Sequence, residues 1–220
     1  MPLAERRAGR LTSLSRGTAL LAGWILIACG TACAAVPLQP LIDATPSGGT
    51  LLLAAGTYTG PAIVDRPMVL DGGGKAHIDG QQRESVLRVR ANSATIRGLV
   101  LTRSGDSHDR VDSAIVVEGH YNRIEDNHIE DVLFGITLHA SNHNVVARNF
   151  IRSRPVDPAD RGDGLRLWYS TGNRIEGNDI AQIRDVTISN SPRNRYVGNR
   201  IRDSRRAMNF LFAGRSLVEG

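Results

Sequence analysis

Asn122-Arg123-Ile124-Glu125-Asp126-Asn127-His128-Ile129 is a pattern this chain repeats. It returns as Asn144-Val145-Val146-Ala147-Arg148-Asn149-Phe150-Ile151 and as Asn173-Arg174-Ile175-Glu176-Gly177-Asn178-Asp179-Ile180. A fourth copy reads Asn194-Arg195-Tyr196-Val197-Gly198-Asn199-Arg200-Ile201. The second Asn advances by 22, 29 and 21 residues, a period near 22 that tolerates an insertion. Periods of this length mark solenoids. At roughly 3.3 Å per strand residue, 22 residues suffice for three short strands and three corners, whereas a two-helix repeat needs more. The expectation is an all-β chain folded as a right-handed parallel β-helix, a single-stranded solenoid of about 22 residues per coil.

Strand spacing inside each copy supports this. Gly135-Ile136-Thr137-Leu138-His139 and Gly164-Leu165-Arg166-Leu167-Trp168 alternate with period two, so one face of each is buried. Stacking then puts like on like. Asn127, Asn149, Asn178 and Asn199 form a ladder, each expected at a corner in the left-handed region with its amide bonding up and down the stack. Their predicted role is structural. Met208 and Phe210 align with inward Val186 and Ile188 and read as core.

The repeat extends outward in both directions. Thr95 to Leu101 fills the same slot one coil earlier, and Thr50 to Tyr58 with Met68 to Gly74 read as irregular first turns. Leu38, Leu41 and Ile42 predict a short amphipathic helix that plugs the N-terminal end, because solenoids require caps. At the other end Gly177, Gly198 and Gly220 keep the period, so the chain stops one residue short of the next ladder Asn. No cap follows, and open strand edges invite pairing. The expectation is a β-helix over 36–220 that is truncated at its C-terminal end or docks there on a partner.

Residues 1–35 read as a signal peptide. Arg6, Arg7, Arg10 and Arg16 precede an apolar run from Thr18 to Cys29, and small residues follow at Ala32 to Ala35. The run is short for a membrane span, so no transmembrane segment is expected after cleavage. Cleavage after Ala34 or Ala35 removes both cysteines and leaves a domain without disulfides. Leu26-Ile27-Ala28-Cys29 also fits a lipobox, which would leave a lipid on Cys29. Four Arg and one Glu belong to this segment, so the formal charge of +5 falls to about +2 in the mature domain. That balance implies no nucleic-acid partner.

Two insertions break the period, at 104–112 after Leu101 and at 153–163 after Ile151. Leu101 and Ile151 occupy equivalent slots, so both loops are predicted to leave one corner. Loops on a rigid scaffold carry function more often than the core. Together they offer Asp106, His108, Asp109, Asp112, Asp157, Asp160 and Asp163 as a candidate binding wall for a metal or a partner. Clustered Asp and Gly also mark plain turns, so a solvated polar loop is the competing reading. His120, His128, His139 and His143 share no ladder slot, so the period predicts no metal stack. Trp168 and Tyr169 follow an inward Leu167 and suit either packing or stacking on a sugar or protein surface.

A set of local segments adds a resemblance: Gly56-Thr57-Tyr58, Asp71-Gly72-Gly73-Gly74, Ile96-Arg97-Gly98-Leu99, Leu133-Phe134-Gly135-Ile136, Arg161 to Trp168, Asn173 to Asn178, Arg184-Asp185 and Gly198-Asn199-Arg200. With these, the run from Pro37 to Gly220 resembles the NosD family. These are periplasmic β-helix components of nitrous oxide reductase maturation, within a wider group of carbohydrate-binding and sugar-hydrolase β-helix proteins. The resemblance implies a non-enzymatic periplasmic accessory role in assembling the copper-sulfur centre of the reductase. The implied partners are the reductase and an ABC transporter, with copper or sulfur as cargo and no catalytic residue. NosD proteins are longer, and Arg206 to Phe212 departs from the family pattern at that coil. The competing class is a lyase or epimerase on uronic-acid glycans. Asp157-Pro158-Ala159-Asp160 resembles the Asp-Pro-His-Asp signature of mannuronan epimerases, but Ala159 stands where their base would be.

Overall fold

Inward side chains spaced one coil apart dictate the architecture. The computed structural model describes residues 35–220, which wind through about eight parallel turns as a β-helix. Apart from Ala35, the segment read as a signal peptide, with Cys29, lies outside the described residues. Three sheets share one core. The first stacks Leu51, Leu70, Ile96, Ile124, Val146, Ile175, Tyr196 and Val218 in register. The second stacks Val36, Tyr58, Ile78, Leu101, Ile129, Ile151, Ile180 and Ile201. The third stacks Val64, Val89, Val117, Leu138, Leu167, Ile188 and Phe210. Almost every interior member of these rows is buried. Each removes an apolar side chain from water, worth roughly 1.5–3 kcal/mol.

The insertions leave this register intact. Leu101 pairs with Ile129, Ile129 with Ile151 and Ile151 with Ile180, although 28, 22 and 29 residues separate them. Extra chain is therefore extruded at the corner between the second and third sheets, and the core never sees it.

The asparagine ladder is present with one correction. The left-handed residue at the corner is the one before each Asn: Asp126 and Arg148 at φ 57° and 53°, Gly177 and Gly198 at 62° and 58°. That preceding residue turns the chain, leaving the Asn side chain to point into the stack. Each Asn Oδ1 accepts a backbone N–H from the coil before it: Leu99 to Asn127, Asn127 to Asn149, Asn149 to Asn178 and Asn178 to Asn199, at 2.9–3.1 Å. Each Nδ2 donates back to a carbonyl of that earlier coil, as Asn178 does to Val146 at 3.0 Å. Corner groups that no sheet can satisfy are thus paired.

Two further ladders escaped the sequence reading. Asn122, Asn144, Asn173 and Asn194, the first residues of the repeat, form a second ladder at the corner between the third and first sheets, each Oδ1 accepting a backbone N–H of the coil before it at 2.7–2.8 Å. Beside them Ser141, Ser170 and Ser191 form a hydroxyl ladder, the Ser141 and Ser170 N–H groups each donating to the next Oγ at 3.0 and 2.9 Å.

Helix α1, Leu38–Ala44, is the expected plug. Leu38 and Ile42, one turn apart, are buried, and Leu41 packs partly against the core. Gln39 adds an edge device: its Oε1 accepts the Ile63 N–H at 2.6 Å and its Nε2 donates to the Ile63 carbonyl at 3.2 Å. Ile63 lies on Ala62–Val64, the first strand of the third sheet, so a side chain occupies its open edge. In the last described coil, Met208 packs partly against the core as expected. Phe210 pairs with Ile188 as aligned, yet stays 40% exposed and meets the Tyr196 ring edge-on at 5.7 Å. The reading of Phe210 as buried core is corrected: no coil covers its far side among the described residues.

Candidate functional site

Both insertions leave the corner that follows Leu101 and Ile151, as their spacing requires. They also touch. Arg154, from the second loop, is ion-paired with Asp106 of the first, and its Nη2 donates to the Ser104 and Gly105 carbonyls at 3.0 and 3.1 Å.

The seven loop residues then part company. Asp112 is buried, accepting the Ser107 N–H and the Arg110 Nη2 at 3.0 Å each. Gly105 makes room for it, since a Cβ there would overlap the Asp112 carboxylate. His108 meets Phe134 edge-on at 5.6 Å. Asp157 accepts the Ala159 N–H at 2.9 Å and so caps the exposed single turn Pro158–Asp160. Asp163 is buried beside Arg184 at 3.2 Å; burial pushes its carboxyl above the usual range, and Arg184, Thr187 and the charge of Arg166 oppose that rise. Asp106, Asp109 and Asp160 face solvent. Among the described residues no three His, Cys, Asp or Glu side chains gather to hold a metal ion.

What the first loop does build is one wall of a groove. It runs over the outer face of the third sheet, about 250 Å³ in volume, with Asp109 to Val111 standing above it. Its floor follows from alternation: Arg88, Val116, Thr137 and Arg166 lie in register, and because their neighbours are inward they point out. A second outward row contains His139 paired with Trp168. Arg88 is ion-paired with Glu118, which also takes Arg90 at 3.1 Å. Arg166 lies over the Trp168 ring, 5.1 Å from its centroid, and makes no ion pair among the described residues. The groove thus offers an aromatic face, polar Thr137 and His139, and one guanidinium with free N–H donors. Such a set can seat a carboxylate and bury an apolar stem.

Asp109 and Trp168 were legible as candidates, whereas Arg166, Arg88 and His139 were missed. The signal was there: Arg166 separates two inward leucines, which makes it outward by period. The remaining histidines have separate duties. His120 Nδ1 accepts the Asn142 N–H at 3.1 Å, His143 stacks on Tyr121 at 5.1 Å, and His128 stacks on Phe150 at 4.3 Å.

Residues 85–219 match the family model described as the right-handed beta helix region. Two curated proteins are similar over a larger part of the chain. One, from Pseudomonas aeruginosa, is 31% identical over 186 residues, covering 83% of this chain and 41% of the relative. Another, from Stutzerimonas stutzeri, is 27% identical over 165 residues, covering 73% of this chain and 38% of the relative. Both carry the name "Probable ABC transporter binding protein NosD". The chain therefore spans about two fifths of the length of the curated relatives it matches.

Proposed function

The chain belongs to the right-handed β-helix family and is NosD-like in sequence, and from that premise we propose that it is an exported accessory protein that engages an ABC transporter. The finer reading is periplasmic work in maturing the copper-sulfur centre of nitrous oxide reductase, with copper or sulfur as cargo handled by the assembly. The observation that carries it is the similarity to two proteins named for transporter binding, which runs through the loops and most of the coils.

The chemistry of the site agrees with a binding role. Asp157, in the segment that resembles an epimerase signature, is occupied by its own cap, and the segment lies on an exposed turn. The groove's contribution is positioning: a rigid floor, a loop wall and a guanidinium suited to holding a partner.

The test is affinity capture of the mature protein with the transporter subunits and with copper-free reductase, alongside assays on alginate and pectin. Recovery of the transporter and a dependence of reductase copper loading on this chain are the expected results. Turnover of either polysaccharide overturns the accessory reading.

A further inference from the structure

The groove's other two arginines are already neutralised, Arg88 by Glu118 and Arg110 by Asp112. Elsewhere arginines reach across coils to carboxylates, as Arg97 does to Asp71, Arg103 to Asp79, Arg148 to Asp126 and Arg184 to Asp163. Of the three arginines that line the groove, Arg166 alone has no ion-pair partner among the described residues. Its guanidinium carbon lies 5.1 Å from the Trp168 ring centroid, and the nearest influence on it from a carboxylate is the charge coupling to buried Asp163, beyond ion-pair distance. A guanidinium held over an aromatic ring without an ion-pair partner is preorganised for a carboxylate, because its planar fork loses little freedom on binding.

The surface continues past the groove. Tyr169, 58% exposed, meets Trp168 edge-on at 5.6 Å, and on the same corner Tyr121, 62% exposed, is stacked on His143. Tyr, Trp and Arg are the residue types that dominate protein interfaces energetically. The groove is slightly below the roughly 300–1,000 Å³ of small-molecule sites, but it has room for one anchored side chain.

We propose that this face is a protein-docking surface whose occupant is an acidic segment of a partner, with one Asp or Glu carboxylate seated on Arg166 and its flanks packed on Trp168, Tyr169 and Tyr121. The inference rests on the accessory reading above and names the chemistry of its partner. Asp109, exposed on the loop wall, opposes the same ligand and tunes its affinity.

The experiment titrates the full chain, with Trp24 replaced by Phe so that Trp168 alone emits, with a synthetic Glu-Ser decapeptide, its Gln-Ser counterpart and an oligogalacturonate, by calorimetry and by tryptophan fluorescence. The Glu peptide binds, weakening with salt, while the Gln peptide does not. Arg166→Gln weakens binding about tenfold or more, Asp109→Asn strengthens it severalfold, and Arg200→Gln, on another face, changes nothing. Circular dichroism melts confirm that each variant folds, and Trp168→Ala provides a second loss at the same site. Equal binding of the two peptides, indifference to Arg166→Gln, or preference for the oligogalacturonate overturns the proposal. Arg166-dependent peptide binding without transporter capture upholds the docking site and overturns the transporter reading.

Discussion

Arg154 closes on Asp106 across two coils of the solenoid, tying together insertions that lie 48 residues apart in the chain. The clamp places the wall of the groove. Arg154→Ala removes the ion pair and the two donations to the Ser104 and Gly105 carbonyls. Hydrogen bonds from charged donors contribute about 1.5–3 kcal/mol. Asp106 is largely exposed, so most of the effect comes from the carbonyls. The expected outcome is a loss of about 1–2 kcal/mol in urea unfolding, with faster amide exchange confined to residues 105–111.

Ladder position sets the cost of losing an amide. Asn178→Ala strands the Asn149 N–H and removes a donor from the Val146 carbonyl inside the stack, and a buried orphan costs about 1–3 kcal/mol. Asn199 is less buried and belongs to the last described turn of its ladder. Denaturant melts should therefore show Asn178→Ala losing about 2–4 kcal/mol, and Asn199→Ala losing less. Equal losses would contradict the ladder's role.

Asp163 supplies a pH signature. Its carboxyl is raised chiefly by burial, so the folded state holds the proton more tightly than the unfolded chain does. Its contribution to stability is complete below the unfolded carboxylate pKa and is lost as pH rises through the folded value. Melting temperatures of wild type and Asp163→Asn taken between pH 3 and 7 should diverge over that window. Wild type declines relative to the variant, and the two run parallel at neutral pH.

Gln39 protects an edge. Gln39→Ala leaves the Ile63 N–H and carbonyl open on the first strand of the third sheet. Sedimentation at rising concentration should show more self-association than wild type, with a stability loss of about 1 kcal/mol.

Much of this was readable from the chain. Ile124, Ile129, Ile136 and Leu138 alternate or repeat at coil spacing, and because stacked sheets bury the same slot in every turn, the period revealed both register and core. Leu101 and Ile151 located the shared corner of the loops for the same reason. Loop interiors were less legible. Asp112 and Asp163 look in sequence like Asp109 and Asp160, yet two are buried beside arginines and two face solvent. That difference arises from how each loop folds back on neighbouring coils, through Arg154, Gly105 and Arg184, and no local pattern encodes it. Gln39 carried no signal at all, since its partner Ile63 lies 24 residues away on an edge that only the assembled coil defines. The left-handed residue was assigned one position late because Asn favours that region intrinsically, whereas here the stack needs its side chain facing inward.

A solenoid whose coils touch only their neighbours melts like a one-dimensional chain, fraying from its ends with cooperativity that decays from turn to turn. The Arg154–Asp106 contact skips a coil, so it couples second neighbours as well as first. The three coils it spans should open as one unit, giving the middle of the protein a block of uniform protection flanked by graded ends. The groove is built on that block, so its geometry should outlast partial unwinding of either terminus.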